Sequence, residues 1–407
     1  VRDQDNTGER LFQGLLKVIG TTSFDDLPDT VSEHARAAGF TDVRIYLGDV
    51  ERRALHLLVG ARTAASVERV LKIKDTEAGR AYQYGKIVPA GMASADAGQY
   101  GGRYWVPLFN GRERIGLMFA AAAHDGDLVR ETATGLATLV ALSIATKRGH
   151  SDTYARLNRT QPMNVAAEAQ WQLIPPRTYT DSRVAVCATL EPSYRISGDA
   201  YDYAIAGPRV FLSIFDAMGH DTAAGQTAAL AVAASRSARR RGAGIAETGD
   251  AIEGELARQF EEVRYATAIL AFLDTRSGLL TWTSYGHHPP LILRGGNAVK
   301  LHCEPAFPLG TGLGNLETTI CHQQLQPGDR VTLYTDGITE ARRPHGQEFG
   351  LDRFISVLTQ YPADNLSVSE TVRRFSHTFL DYHHGELQDD ATVLLCEWLG
   401  PGPPLGD

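Results

Sequence analysis

The stretch "RISGDAYDYAIAG", residues 195–207, sets two carboxylates, Asp199 and Asp202, beside a glycine between segments of strand-like composition. Glycine opens backbone conformations closed to other residues, and aspartate bonds its own backbone in turns, so alone the segment reads as a solvated hairpin turn lying before a strand. The same arrangement recurs downstream. Asp216 ends "RVFLSIFD" and is followed by "AMGHD", Asp336 ends "RVTLYTD" and is followed by Gly337, and Asp389-Asp390 immediately precede "ATVLLCEW". Each carboxylate stands at the mouth of an apolar strand. Several buried carboxylates converging on one edge would demand positive charge, because each is costly to desolvate. The motifs hold no matching set of Arg or Lys, which leaves hard divalent cations such as Mg²⁺ or Mn²⁺, whose preferred ligands are carboxylate, carbonyl and water oxygens.

Working outward, the chain from Val184 onward is rich in strands: "VAVCATL", "RVFLSIFD", "TAILAFLD", "GLLTWTSYG", "PPLILRG", "AVKLH", "ETTICHQQL", "RVTLYTD" and "ATVLLCEW" carry β-branched or alternating apolar residues between turn signals. Helical patterns at 222–241, 250–262 and 367–382 are grouped rather than alternating with the strands. That grouping fits a helix-covered β-sandwich, not a doubly wound parallel sheet.

Upstream, Leu11 to Lys147 mixes helix and strand patterns, with a hairpin expected at Asn110-Gly111 and a long helix in "RETATGLATLVALSIATKR". The fold class is therefore α+β in both parts. Between them, 149–174 reads as a helical connector: Ala166, Ala167, Ala169, Trp171 and Ile174 line one face, and Pro175-Pro176 stop it. It serves either as a passive linker or as a helix pair between protomers that covers Trp171. The expected divisions are 1–148, 149–174, 175–400 and a flexible tail, 401–407.

A formal net charge of −8 argues against a nucleic-acid binder, which needs surplus Lys and Arg to displace counterions. The one basic run, Arg236 to Arg241, reads as the solvated end of a helix. The four cysteines form no CxxC and indicate neither a zinc knuckle nor a disulfide framework, so a reducing cytoplasm is the expected compartment. The most apolar window, Gly135 to Ala145, is too short to span a bilayer, and no membrane is expected.

Seven motifs, "SGDAYD", "FDAMGHD", "YATAIL", "YGHHPPLIL", "FPLG", "YTDGITEAR" and "DDATVLL", stand in the order found in the SpoIIE branch of the PPM, or protein phosphatase 2C-like, metal-dependent serine/threonine phosphatases, which the second part therefore resembles. "QLIPP" is similar to that family's entry motif. The resemblance implies an αββα sandwich with two Mn²⁺ or Mg²⁺ ions at one end. Asp199 would bridge the ions, Asp216 and the backbone carbonyl of Ala217 would hold one, and Asp336 and Asp389 the other. Phosphoserine or phosphothreonine would be hydrolysed by metal-activated water without a phosphoenzyme. The implied partner is a STAS-type anti-sigma-factor antagonist. Asp202 and Asp390 take supporting or structural roles. The first part resembles a GAF sensory domain in "AGRAYQYGKIV" and the "VPL…IGLM" hairpin, although a PAS module fits the same order. It would regulate the phosphatase, with a possible small-molecule effector, in a homodimer.

The chain departs from the family pattern at Ser197, where a glycine is common, and at Asp221, which is expected to cap the helix starting near Thr222. His220 is a candidate to orient or protonate the leaving oxygen, set against a structural role in a tight turn. His287 and His288 suggest a turn held by imidazole bonds. "GTGLG" at 310–314 lacks the Lys of a phosphate loop and reads as a flexible turn. The alternative functions are a catalytically silent scaffold that binds phosphorylated partners and a purely ligand-sensing regulator.

Overall fold

The structure, a computed structural model, describes residues 2–91, 101–111, 113–192, 194–195, 197–219, 221–260, 263–313, 318–342, 346–360, 366–384, 387 and 389–402. The chain divides into two compact units, Val1–Pro162 and Met163–Asp407, and the division falls inside the segment expected as a connector.

In the first unit, α1 (Arg2–Val18), α2 (Leu27–Ala37), β1 (Phe40–Gly48), β2 (Ala54–Leu57), β3 (Val70–Lys72), α3 (Glu77–Tyr84), β4 (Val88–Pro89), β5 (Arg103–Asn110), β6 (Glu113–Ala122), α4 (Asp127–Lys147) and α5 (Asp152–Asn158) follow in order. The strands form one antiparallel sheet, β3-β2-β1-β6-β5-β4. Alternation in β1 sends Val43, Ile45 and Leu47 to the face covered by α1, α2 and α4, and Tyr46 to the face covered by α3. The β5–β6 hairpin turns at Gly111 (φ 61°), as its Asn-Gly pair requires. The helix containing α4, Asp127–His150, is long and apolar enough by composition to cross a bilayer. Within this unit its Leu136, Val140 and Ile144 are buried in the sheet's helical face.

The second unit runs α6 (Val165–Leu173), β7 (Thr178–Thr180), β8 (Val184–Glu191), β9 (Asp199–Ala206), β10 (Arg209–Ala217), α7 (Thr222–Arg240), α8 (Ile245–Phe260), β11 (Ala266–Asp274), β12 (Leu279–Tyr285), β13 (Leu291–Arg294), β14 (Asn297–Lys300), β15 (Cys321–Gln324), β16 (Arg330–Tyr334), α9 (Asp336–Thr339), α10 (Leu351–Gln360), α11 (Val368–Tyr382) and β17 (Ala391–Trp398). Two sheets, β15-β12-β11-β10-β9 and β14-β13-β16-β17-β8-β7, face each other. Period-two burial explains the layering. Val210, Leu212 and Ile214 of β10 enter the core between the sheets, while Phe211 and Phe215 turn outward to α7 and α8. Likewise, Leu394 and Cys396 of β17 face inward, and Val393 and Leu395 face α10 and α11. The result is the helix–sheet–sheet–helix sandwich expected from the grouped helices.

Three expectations are corrected. The strand thought to follow Asp199 and Asp202 contains them, because Tyr201, Tyr203 and Ile205 supply its inward face. Of the face expected along the connector, Ala167 is buried within α6 and Ile174 just past its end, Trp171 is half-buried against its own unit's core with Arg177 4.5 Å over its ring, and Ala166 and Ala169 give way to the buried Gln170. Cys303 and Cys321, 18 residues apart, are joined as a disulfide where the chain returns to β15, and Cys187 and Cys396 are free and buried.

Candidate metal centre

Spacing within β9 decides which carboxylates meet. Residues three apart on a strand lie on opposite faces. Asp199 therefore shares the inward face with Tyr201, and Asp202 shares the outward face with Ala200. There Asp202 is almost fully buried and accepts bonds from Arg236 (Nη2 2.7 Å, Nε 3.1 Å) and from Arg239 Nη2 (2.9 Å) of α7. Two guanidiniums of the basic run are thus turned inward onto a carboxylate rather than solvated, a correction with a clear electrostatic cause.

Asp199 has a different neighbourhood. Antiparallel register sets it directly opposite Asp216 of β10. It is 2% exposed, its Oδ2 accepts from Thr335 Oγ1 (2.7 Å), and its N–H donates to Ser197 Oγ (2.9 Å). Thr335 Oγ1 in turn accepts from the Thr392 N–H at 2.9 Å, linking β16 and β17 to the site. The Gly198 N–H donates to Asp390 Oδ2 (2.6 Å). A Cβ on Gly198 would stand 2.4 Å from the Gly219 carbonyl and 2.8 Å from that of Ala217, so only glycine admits this approach. Gly337, which follows Asp336 at the start of α9, is equally constrained: a Cβ would stand 1.7 Å from the Asp390 carbonyl.

Electrostatics reports the same assembly. Burial, followed by the charges of Asp216 and Asp390, holds the Asp199 carboxyl well above the ordinary range. Burial, with Asp336, Asp389 and Asp390 adding to it, pushes Asp216 up to about 7. Asp389 is exposed and its Oδ1 accepts from the Asp390 N–H (2.9 Å). Among the described residues, no Arg or Lys forms an ion pair with Asp199, Asp216 or Asp336. An oxygen-rich cluster whose acids repel one another, with a backbone carbonyl close by, is a donor set suited to hard divalent cations. Asp199, Asp216, Asp336 and Asp389 thus come together with the Ala217 carbonyl near them, whereas Asp202 does not join them.

Sequence reasoning passed over several participants. Asp390, given a supporting role, stands close enough to raise both Asp199 and Asp216. Gln170 of α6 is buried, and its side chain donates to the carbonyls of Ser197 (2.9 Å) and Asp199 (2.8 Å) and accepts from the Ser197 N–H (3.1 Å). A glutamine three residues after Ala167 and four before Ile174, on an otherwise apolar stripe, was the available signal. His288, Asp336 and Glu340 bring ligand atoms within 4.8 Å of one another, an adjacency that nothing in their spacing from His288 reveals.

The remaining candidates resolve as follows. His287 is buried, and its Nε2 lies 3.0 Å from the Tyr334 carbonyl, which fixes Nε2 as the donor and Nδ1 as acceptor from Thr267 Oγ1 at 2.6 Å. Burial lowers its pKa to about 3, so it is a neutral strut. Asp221 caps α7, its Oδ1 accepting from the Ala224 N–H (2.8 Å), and pairs with Arg264 at 3.2 Å, which offsets its charge beside the site. His220 lies outside the described residues.

Residues 206–399 match the family model "Stage II sporulation protein E (SpoIIE)". The second unit carries a SpoIIE-family domain. Six of the seven motifs read in the sequence, from "FDAMGHD" to "DDATVLL", lie inside the matched span. The matched span contains Asp216, Asp336 and Asp389, while Asp199 lies just upstream of it. Protein IcfG of Synechocystis sp. is 28% identical over 131 residues, which is 32% of this chain and 20% of that protein. The RsbU and RsbW domains of Rv1364c from Mycobacterium tuberculosis are similar at 24% identity and a TM-score of 0.47, over 57% of this chain and 65% of that one. The PP2C phosphatase domain and regulatory fragment of SpoIIE from Bacillus subtilis are similar at 19% identity and a TM-score of 0.45, over 55% and 63%. The chain thus spans about a fifth of the curated relative and under two thirds of these two solved chains.

Proposed function

We propose that this protein is a phosphatase that removes phosphate from serine or threonine of a regulatory protein, a STAS-type anti-sigma-factor antagonist, under control of its GAF-like first unit. The observation that carries the reading is the strand register placing Asp199 opposite Asp216, with the charges of Asp336, Asp389 and Asp390 converging on the pair and, among the described residues, no Arg or Lys in an ion pair with Asp199, Asp216 or Asp336. Asp199, Asp216, Asp336 and Asp389, with the Ala217 carbonyl, would hold two Mn²⁺ or Mg²⁺ ions. Such ions, when bound, acidify water and offset charge on phosphoryl oxygens.

The chain's own residues do the positioning. Thr335 orients Asp199 through one oxygen, and Gln170 and Ser197 fix the main chain from which Asp199 springs. Gly198 and Gly337 let backbone carbonyls approach the acids, and the Asp221–Arg264 pair holds the loop after Asp216 with little net charge where a phosphate would enter. Because α6 carries Gln170, the connector touches the centre directly, which supports control from upstream sequence.

The test is hydrolysis of p-nitrophenyl phosphate and of a phosphorylated STAS protein by the full chain. Activity is expected with Mn²⁺, and it is expected to vanish on chelation and in Asp199→Asn with the fold retained by circular dichroism. Undiminished turnover in chelator and in Asp199→Asn would reject the reading. Activity on the small ester with none on the STAS protein would reject the partner alone.

A further inference from the structure

A second site lies in the first unit, outside the phosphatase chemistry. A cavity of about 290 Å³ opens where β2 stops short: β2 pairs with β1 only over Tyr46–Gly48, leaving the Phe40–Arg44 edge of β1 open beside α2 and the segment 57–67. Asp29, Ser32 and Arg36 of α2, spaced i, i+3, i+7, form one wall. Leu57, Leu58 and Val67 supply an apolar wall.

The polar groups here are biased toward donation. Asp29 is occupied by the N–H groups of Ala61 (2.7 Å) and Arg62 (3.2 Å), and Asp42 is occupied by Arg44. Arg62 reaches outward to Glu33 at 3.2 Å. Arg36 has no carboxylate partner among the described residues. The Ile45 carbonyl accepts from the Leu58 N–H (2.8 Å), so in an alternating ladder the Val43 main chain faces the same side. The Val43 carbonyl receives the Ser32 hydroxyl at 3.3 Å, and the same alternation sets its N–H on this open edge of β1, where Val43 lines the cavity.

We propose that this cavity binds a small organic oxyanion, a carboxylate or phosphate-type head on a short apolar body, with Arg36 and the Val43 N–H receiving the head and Leu57 and Val67 the body. A planar guanidinium beside a main-chain donor is suited to two oxygens of one head group. The volume equals that of about ten waters at roughly 30 Å³ each, which suits a molecule the size of benzoate. The inference is independent of the metal centre.

The experiment titrates the full chain in EDTA with benzoate, phenylphosphonate and inorganic phosphate, read by calorimetry and by saturation-transfer NMR. Saturable binding of benzoate or phenylphosphonate is expected, and the tighter of the two identifies the head group. Affinity is expected to fall about tenfold or more in Arg36→Gln, to recover partly in Arg36→Lys, and to be lost in Val67→Trp, which fills the cavity without changing charge. Asp199→Asn is expected to bind as the parent does. The proposal is overturned if the parent shows no saturable binding of either organic anion at millimolar concentration. It is equally overturned if binding survives both Arg36→Gln and Val67→Trp in folded protein, if it is lost in Asp199→Asn, or if inorganic phosphate binds as tightly as both.

Discussion

Asp216→Asn probes the acidic cluster through stability rather than turnover. Burial, with Asp336, Asp389 and Asp390 close by, raises the Asp216 carboxyl from 3.8 to about 7 in the native state. The unfolded chain releases that proton near the ordinary value, so between the two values the native state holds a proton that the unfolded state has lost. The associated stability is complete below about pH 4 and disappears as pH climbs through 7 in metal-free protein. A difference of about three pH units, at about 1.36 kcal/mol each, gives about 4 kcal/mol. Water at the open side of the site reduces this to roughly 3 kcal/mol. Urea denaturation of the full chain in EDTA at pH 5 and pH 8, followed through the fluorescence of Trp282 and Trp398 in the sandwich core, measures it. About two of those three units fall between pH 5 and pH 8, so the parent is expected to lose roughly 2 kcal/mol through Asp216 between the two conditions and to regain it at pH 8 with Mn²⁺. Asp216→Asn is expected to show a clearly smaller loss, with a remainder from Asp199, which titrates in the same direction. A parent equally stable at both pH values without metal, or a variant with the parent's full pH dependence, would refute the reasoning.

Asp202→Asn strips a nearly buried carboxylate from two guanidiniums and is expected to cost about 3 kcal/mol, with the Mn²⁺ affinity of the folded protein, read by calorimetry, unchanged because the side chain faces α7. Gln170→Leu removes the bonds that hold Ser197 and Asp199; a stability loss of about 2 kcal/mol and a raised Mn²⁺ requirement for p-nitrophenyl phosphate hydrolysis are expected. A parent-like metal titration would show that the clamp does not act on the centre. Gly337→Ala drives a methyl into the Asp390 carbonyl and is expected to lower the urea midpoint by the equivalent of about 3 kcal/mol or more.

Much of this was readable in the chain because β-strands write their two faces alternately. Hydrophobic runs ending in Asp216 and Asp336 announced both the sandwich and the edge where the acids gather, since nothing else accounts for acids recurring at such positions. Where reading failed, the cause was long range. Asp202 was expected in a supporting or structural role, but its partners were not, because Arg236 and Arg239 stand 34 and 37 residues away and read as the solvated end of a helix whose inward face is mostly alanine. Gln170 was hidden by counting apolar residues, which passes over a polar side chain buried for its hydrogen bonds. The Cys303–Cys321 bond depends on a loop closing, and Glu340 comes near His288 only through the pairing of β13 with β16.

The odd spacing of Asp199 and Asp202 carries a consequence for how this protein can change. Two identical side chains are assigned to metal and to scaffold by the parity of their positions alone. Deleting one residue between them would place both acids on the same side, leaving Arg236 and Arg239 without a counterion or crowding a further charge toward Asp216. Substitutions elsewhere on this strand leave that assignment in place, but a one-residue insertion or deletion does not, so the segment should keep its length and its two acids.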